Sequence, residues 1–365
     1  MNRLAVLVSL SGEGGVERMV LNLVREFAAR PGLAVDLVLI REESRHLQEL
    51  PPGVEIVRLG VRHSALAVLP IARYLRRARP DALLAAKDRA GRAALLARQL
   101  ARVPTRVVIR LGTTLSEAIK GRGRLQRWLR YLPIRTLYGL ADAIVAVSEG
   151  VAADTVAIAG LPPGRVHVVR NPVVTPALAA QARTPVDHPW LADRAVPVVL
   201  GIGRLTAQKD FATLVRAVAR VRRARPVRLL ILGEGRDRQP LLDLAAAEGI
   251  AADVGLPGFQ ANPYAWLARA SAFVLSSAWE GSPNALTEAM ALGVPVAATD
   301  CRSGPRELLA GGRFGPLVPV GDVAGLAAAI VEVLEHPLAA DDLKAAVREY
   351  DAPTSAGRYL DVLGL

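Results

Sequence analysis

The chain has 365 residues, enough for two cores rather than one. Its 52% hydrophobic and 22% charged content fits a globular protein; no run reaches the ~18 apolar residues of a transmembrane helix. The one cysteine, Cys301, excludes an internal disulfide framework and suits a reducing cytoplasm.

The net charge of +12 is lopsided. Residues 1–185 hold 28 Lys/Arg against 14 Asp/Glu, while residues 186–365 hold 18 against 20. A basic first half fits an anionic partner such as a membrane surface, a phospholipid-linked substrate or nucleic acid, and equally an arginine-rich solvated face.

Leu4–Val8 reads as a first buried strand, not a leader, because Gly12-Glu13-Gly14-Gly15 follows at once with no cleavage pattern. Gly15–Ala29 then reads as a helix and Ala34–Ile40 as a strand. Leu66–Ala78, Ala90–Ala101 and Leu125–Leu140 have helical patterns, and Ala82–Ala85, Arg106–Ile109 and Ala143–Val147 read as strands. Thr175–Arg194, rich in Pro, Ala and Gln, has no clear period and places a linker at 181–195. The alternation restarts with strand Pro197–Ile202, helix Phe211–Ala224, strand Val227–Leu232 and helix Gln239–Glu248. Helix Pro263–Arg269, strand Ala272–Leu275, helix Asn284–Leu292, strand Pro295–Ala298 and helix Val323–Leu334 complete it. Strands alternating with helices predict two doubly wound α/β domains, 1–180 and 196–340, with a cleft between them. The segment 341–365 is expected to be helical and to cross back to the first domain.

Four loops after strands carry the chemistry. Gly203-Arg204 with Lys209 puts a planar cation and a point cation at a helix start, which fits a phosphate site or a solvated loop. Gly233-Glu234-Gly235 allows close backbone approach to a ligand or forms a simple turn. Gly12-Glu13-Gly14-Gly15 fails the dinucleotide fingerprint, since its third glycine would fall at Glu17. The fourth, Glu280-Gly281-Ser282-Pro283-Asn284-Ala285-Leu286-Thr287-Glu288, puts one carboxylate on a loop and a second in the first turn of a helix, with Asn284 as its expected N-cap. The five histidines (His46, His63, His167, His188, His336) lack ligand spacing, so no metal site is expected.

Together with Gly258-Phe259 and Gly293-Val294-Pro295-Val296-Ala297, these loops make residues 196–334 resemble the retaining GT-B glycosyltransferases of family 4. Gly14-Gly15-Val16-Glu17, Val147-Ser148-Glu149 and Arg170-Asn171-Pro172 match the family more weakly in the first domain. The resemblance implies the GT-B fold and a nucleotide-diphosphate-sugar donor, held mainly by the second domain, with a UDP-hexose or UDP-N-acetylhexosamine expected. It assigns Arg204 and Lys209 to the diphosphate, Glu280 to the sugar hydroxyls, Glu288 to the ribose and Phe259 to the base. Backbone around Gly14, Gly15, Gly203, Gly233, Gly235, Gly281, Ser282, Asn284, Ala285 and Leu286 is expected to line the donor. Relatives carry a histidine just after the strand Arg106–Ile109; here Arg110 is expected to contact donor or acceptor phosphate instead. The chain has no Asp-x-Asp motif, and with two cations available no metal cofactor is expected.

Cys301 to Leu309 and Gly315 to Asp322 resemble the subgroup that builds bacterial surface glycans, including N-acetylhexosamine transfer to polyprenyl-diphosphate-linked acceptors. Lys120 to Arg135 carries six cations and no acid, with Leu125, Trp128, Leu129 and Leu132 on one helical face. That pattern fits an interfacial helix using Lys120, Arg124, Arg127, Trp128 and Arg130 against anionic lipid or the acceptor, or a helix with its apolar face in the core. The expectation is a cytoplasmic transferase at the inner face of the membrane. A soluble-acceptor transferase and a non-enzymatic anion-binding protein are the alternatives; no nucleic-acid motif is present.

Overall fold

The computed structural model describes every residue except 11–14, 43–49, 62, 120, 122 and 194. It divides into two compact units, Met1–Val173 with Tyr350–Leu365, and Val174–Glu349.

The first unit is built on seven parallel strands: β1 (Asn2–Leu10), β2 (Leu33–Glu42), β3 (Val54–Arg58), β4 (Ala82–Ala86), β5 (Arg106–Leu111), β6 (Ala143–Ala146) and β7 (Val166–Val168). Their order is β3-β2-β1-β4-β5-β6-β7. The second unit has six: β8 (Val198–Ile202), β9 (Arg228–Leu232), β10 (Val254–Gly258), β11 (Ala272–Leu275), β12 (Val296–Thr299) and β13 (Leu317–Val318), ordered β10-β9-β8-β11-β12-β13. The central strands are apolar on both faces because helices cover both: Leu4 to Val8 of β1 and Leu229 to Ile231 of β9 are shut from solvent. In each sheet the strand order reverses once, between β1 and β4 and between β8 and β11. At such a reversal the two following loops diverge and open a crevice at the carboxyl ends of the strands.

Helix Ala352–Leu363 belongs to the first unit, where Ala356, Tyr359 and Leu363 pack with Val20, Val108 and Val145. Residues 341–349, expected to go with it, stay in the second unit. The stretch expected as a linker instead forms two short helices, Pro176–Ala182 and Pro189–Ala192. Each opens on a proline at the first helical position, where the missing N–H costs nothing.

Candidate functional site

In the second unit the loops after β8 and β11 are stitched together at the reversal point. The Ala278 N–H donates to the Gln208 carbonyl at 2.8 Å, the Gln208 side-chain amide to the Trp279 carbonyl at 3.1 Å, and the Ser276 hydroxyl to the Lys209 carbonyl at 2.8 Å. This stitching sets Lys209 beside Glu280: Lys209 Nζ lies 2.5 Å from Glu280 Oε1, and the Ser277 hydroxyl donates to the same oxygen at 2.7 Å. Glu280 is only 6% exposed, so the pair meets in a medium where charge interactions are strong. Arg204, on the same loop as Lys209, is exposed and has no ion-pair partner among the described residues.

The glycines of this region serve the packing of loop on loop. A Cβ on Gly233, at φ 135°, would stand 2.0 Å from the Gly203 carbonyl oxygen, and one on Gly235 would stand 2.2 Å from that of Leu205. Backbone bonds from Gly203 N–H to Leu232 O (3.0 Å) and from Leu205 N–H to Glu234 O (2.9 Å) seal the contact. Phe259 follows β10 and is 45% exposed.

The helix after the Glu280 loop spans Asn284–Ala291, with Pro283 at the cap position. Asn284 is therefore its first residue and not the N-cap, and Glu288 is its fifth, beyond the first turn. The Asn284 N–H already donates to Ser282 O at 3.0 Å and the Leu286 N–H to Pro283 O at 3.0 Å, while the Leu286 side chain is buried in the core. Gly281 is buried; Ala285 is half-buried. The Ser282 hydroxyl is shut from solvent without a hydrogen-bond partner, an orphan that points to a ligand or a water. Glu288 is buried and accepts from the Tyr264 hydroxyl at 3.4 Å. Cys301 lies close enough to feel Glu280: burial first and that carboxylate second push its thiol up to about 12, so it stays protonated and is no nucleophile.

In the first unit Arg110 is the penultimate residue of β5 and is 1% exposed. Its Nε donates to the Tyr359 hydroxyl at 3.1 Å and its Nη2 to Asn171 Oδ1 at 2.6 Å, while Nη1 has no partner. A buried guanidinium held by neutral groups alone, with one donor orphaned, favours an anion beside it. Gly15 starts helix Gly15–Ala28; Gly14 and Lys120 lie outside the described residues.

Sequence reasoning passed over Lys87. It follows β4 at the reversal point of the first sheet and holds φ 98°, a conformation rare outside glycine and costing about 1–3 kcal/mol. Its ammonium bonds Glu17 Oε1 at 2.9 Å and the Ser9 carbonyl at 3.1 Å. Each sheet thus carries a Lys–Glu pair across its reversal, Lys87 with Glu17 and Lys209 with Glu280. A lone lysine ending an apolar strand, Ala85-Ala86-Lys87, was the available signal. Among the described residues no cluster of three His, Cys, Asp or Glu side chains suits a metal ion, and no helix is long and apolar enough to cross a membrane.

Residues 14–172 match the family described as "Glycosyl transferase 4-like domain", and residues 196–336 match "Glycosyl transferases group 1". The chain is 28% identical over 343 residues to the N-acetylgalactosamine-N,N'-diacetylbacillosaminyl-diphospho-undecaprenol 4-alpha-N-acetylgalactosaminyltransferase of Campylobacter jejuni, covering 92% of this chain and 91% of that one. It is 28% identical over 351 residues to the lipopolysaccharide core biosynthesis glycosyltransferase LpsE of Rhizobium meliloti, covering 95% and 92%. The solved structure of Anabaena HepE with UDP and glucose shares the fold, with a TM-score of 0.72 at 21% identity over all of this chain and 97% of that one.

Proposed function

Because the chain belongs to the GT-B glycosyltransferases, with its two halves matching the two glycosyl transferase domains in order, we propose that it moves a hexose or N-acetylhexosamine from a UDP-sugar to a lipid-linked glycan, with retention at the anomeric carbon. The Lys209–Glu280–Ser277 cluster at the reversal point of the second sheet carries this reading. The lipid-linked acceptor is supported by the printed activity of the Campylobacter relative, and the UDP donor by the nucleotide and glucose held by HepE.

In this proposal Arg204 and Lys209 hold the diphosphate. When the bond between the anomeric carbon and the phosphate oxygen breaks, the electron pair stays on the diphosphate, and preorganised cations there lower the barrier. Glu280, fixed by Lys209 and Ser277, accepts hydrogen bonds from the sugar hydroxyls. The backbone of Gly203, Gly233 and Gly235 shapes the loops around the donor. The N–H groups of Gly281, Ser282 and Ala285, with the Ser282 hydroxyl, bind sugar or phosphate. Glu288 takes the ribose and Phe259 stacks near the base. Arg110 offers its free Nη1 to a phosphate of donor or acceptor. These side-chain cations, in a chain without Asp-x-Asp, make the transfer independent of metal, and we place the reaction on the cytoplasmic side.

A thermal-shift panel of UDP, GDP, ADP and their sugars, run with chelator, tests the donor assignment. Stabilisation by UDP and its sugars is expected; no shift with any nucleotide sinks it.

A further inference from the structure

Lys87 takes no part in the proposed transfer, yet its backbone is held at φ 98°, where a glycine would sit without strain. The chain does not need the lysine side chain to close the turn after β4. Backbone bonds do that, from Lys87 N–H to Arg110 O and from Gly91 N–H to Lys87 O, both at 3.0 Å. The strain is borne for the ammonium. Lys87 Nζ donates to Glu17 Oε1 at 2.9 Å and to Ser9 O at 3.1 Å, which leaves the third of its N–H donors. Glu17 stands in the first turn of helix Gly15–Ala28, where the dipole favours a carboxylate, and its Oε2 accepts from no described residue. The Lys87 side chain is 36% exposed, twice as open as Lys209 in the matching pair at 18%, while Glu17 and Glu280 are equally shielded at 8%.

We propose that the Lys87–Glu17 pair binds two neighbouring hydroxyls on the sugar of the acceptor, as the specificity-determining contact of the first unit. The two charges cancel, which suits a neutral polar ligand rather than an anion. One unused donor stands beside one unused acceptor. That is the complement of a sugar diol, in which one hydroxyl gives its proton to the carboxylate and its neighbour takes an ammonium N–H. An apolar ligand over the pair would leave both unmet at a cost. The pair lies at the reversal of strand order between β1 and β4, where such sheets open their binding crevice. The choice of the acceptor's sugar over the donor's rests on the assignment of the donor sugar to Glu280 in the second unit.

The experiment is saturation-transfer NMR on the full chain, without nucleotide, using the methyl glycosides of glucose, galactose and N-acetylgalactosamine. Counterparts deoxygenated at the third carbon, which have no two neighbouring ring hydroxyls, serve as controls. Binding of at least one parent glycoside is expected, weakened by about tenfold or more on deoxygenation and by Glu17→Gln, and unchanged by Glu280→Gln. The double substitution Lys87→Gly with Glu17→Gln removes both charges together and relieves the strained φ. It should melt no lower than the parent and still lose the sugar, a combination that a purely structural ion pair would not give. No signal from any glycoside overturns the proposal. So does a signal that Glu280→Gln removes and Glu17→Gln leaves, which assigns the sugar to the second unit. A double variant that melts well below the parent also overturns it and assigns the pair to stability. Thermal shifts with UDP on the parent read the donor assignment separately, since the sugar signals are recorded without nucleotide.

Discussion

Lys209 and Glu280, 71 residues apart in sequence, form an ion pair that spans the reversal of strand order in the second sheet. Both side chains are largely shut from water, at 18% and 8% exposure. Each therefore depends on the other, since removing one leaves a buried charge without its partner. Lys209→Ala and Glu280→Ala are each expected to destabilise the protein by about 3 kcal/mol and to lower transfer by roughly 100-fold or more. The double variant should lose much less stability than the sum of the singles. Urea midpoints and initial rates read the two effects separately. Full transfer by either single variant would remove that residue from the donor site.

The reading of this pair sharpens the roles drawn from sequence. The motifs named both residues but assigned them to different parts of the donor, because a linear pattern carries no information on what pairs with what. The four strands that sequence reading did not anticipate, β3, β7, β10 and β13, are the four sheet edges. Central strands announce themselves as continuous apolar runs because both faces are covered. Edge strands are short or half-exposed: Val54-Glu55-Ile56-Val57-Arg58 is nowhere fully buried, and Val254 to Gly258 contains a proline that only an edge tolerates. Arg110 was legible as a strand-end cation, but its support by Tyr359, 249 residues later, is a product of the returning C-terminal helix.

The glycine contacts predict a sharp contrast. Gly233→Ala would drive a Cβ to 2.0 Å from the Gly203 carbonyl oxygen, a backbone atom that cannot step aside. A loss on the order of 3 kcal/mol is expected, with nucleotide affinity falling alongside because the loop leading to Lys209 must shift. Gly249, at φ 74° with open space around it, is the control. Its alanine variant should lose about 1 kcal/mol and bind nucleotide normally. Equal thermal-melt shifts for the two variants would contradict this account.

Arg110 gives a test in the first unit. Tyr359→Phe removes the acceptor of the Nε bond at 3.1 Å and leaves a second guanidinium nitrogen unpaired in a buried site. The expected cost is about 1–3 kcal/mol. If the guanidinium serves a phosphate, Arg110→Lys should cost transfer more than it costs stability, since a point charge cannot reproduce the planar fork. Rates and melting curves that fall in step would assign Arg110 to packing alone.

Cys301 provides a pH signature. Burial, and after it the Glu280 carboxylate, push its thiol up to about 12 in the folded protein, against about 8.5 in an unfolded chain. Below pH 8.5 both states keep the proton and stability does not respond to this group. Between pH 8.5 and 12 the unfolded chain releases the proton and the folded protein holds it, so the folded state loses up to about 1.4 kcal/mol per pH unit. Cys301→Ser removes that titration, so its urea midpoint should fall less steeply than the parent's above pH 9, with transfer retained at neutral pH. In the folded parent the thiol should resist iodoacetamide at pH 8 and react once urea unfolds the chain. Rapid alkylation of the folded protein, or parallel pH curves for the two proteins, would place the thiol's titration in the ordinary range and remove the influence of Glu280 upon it.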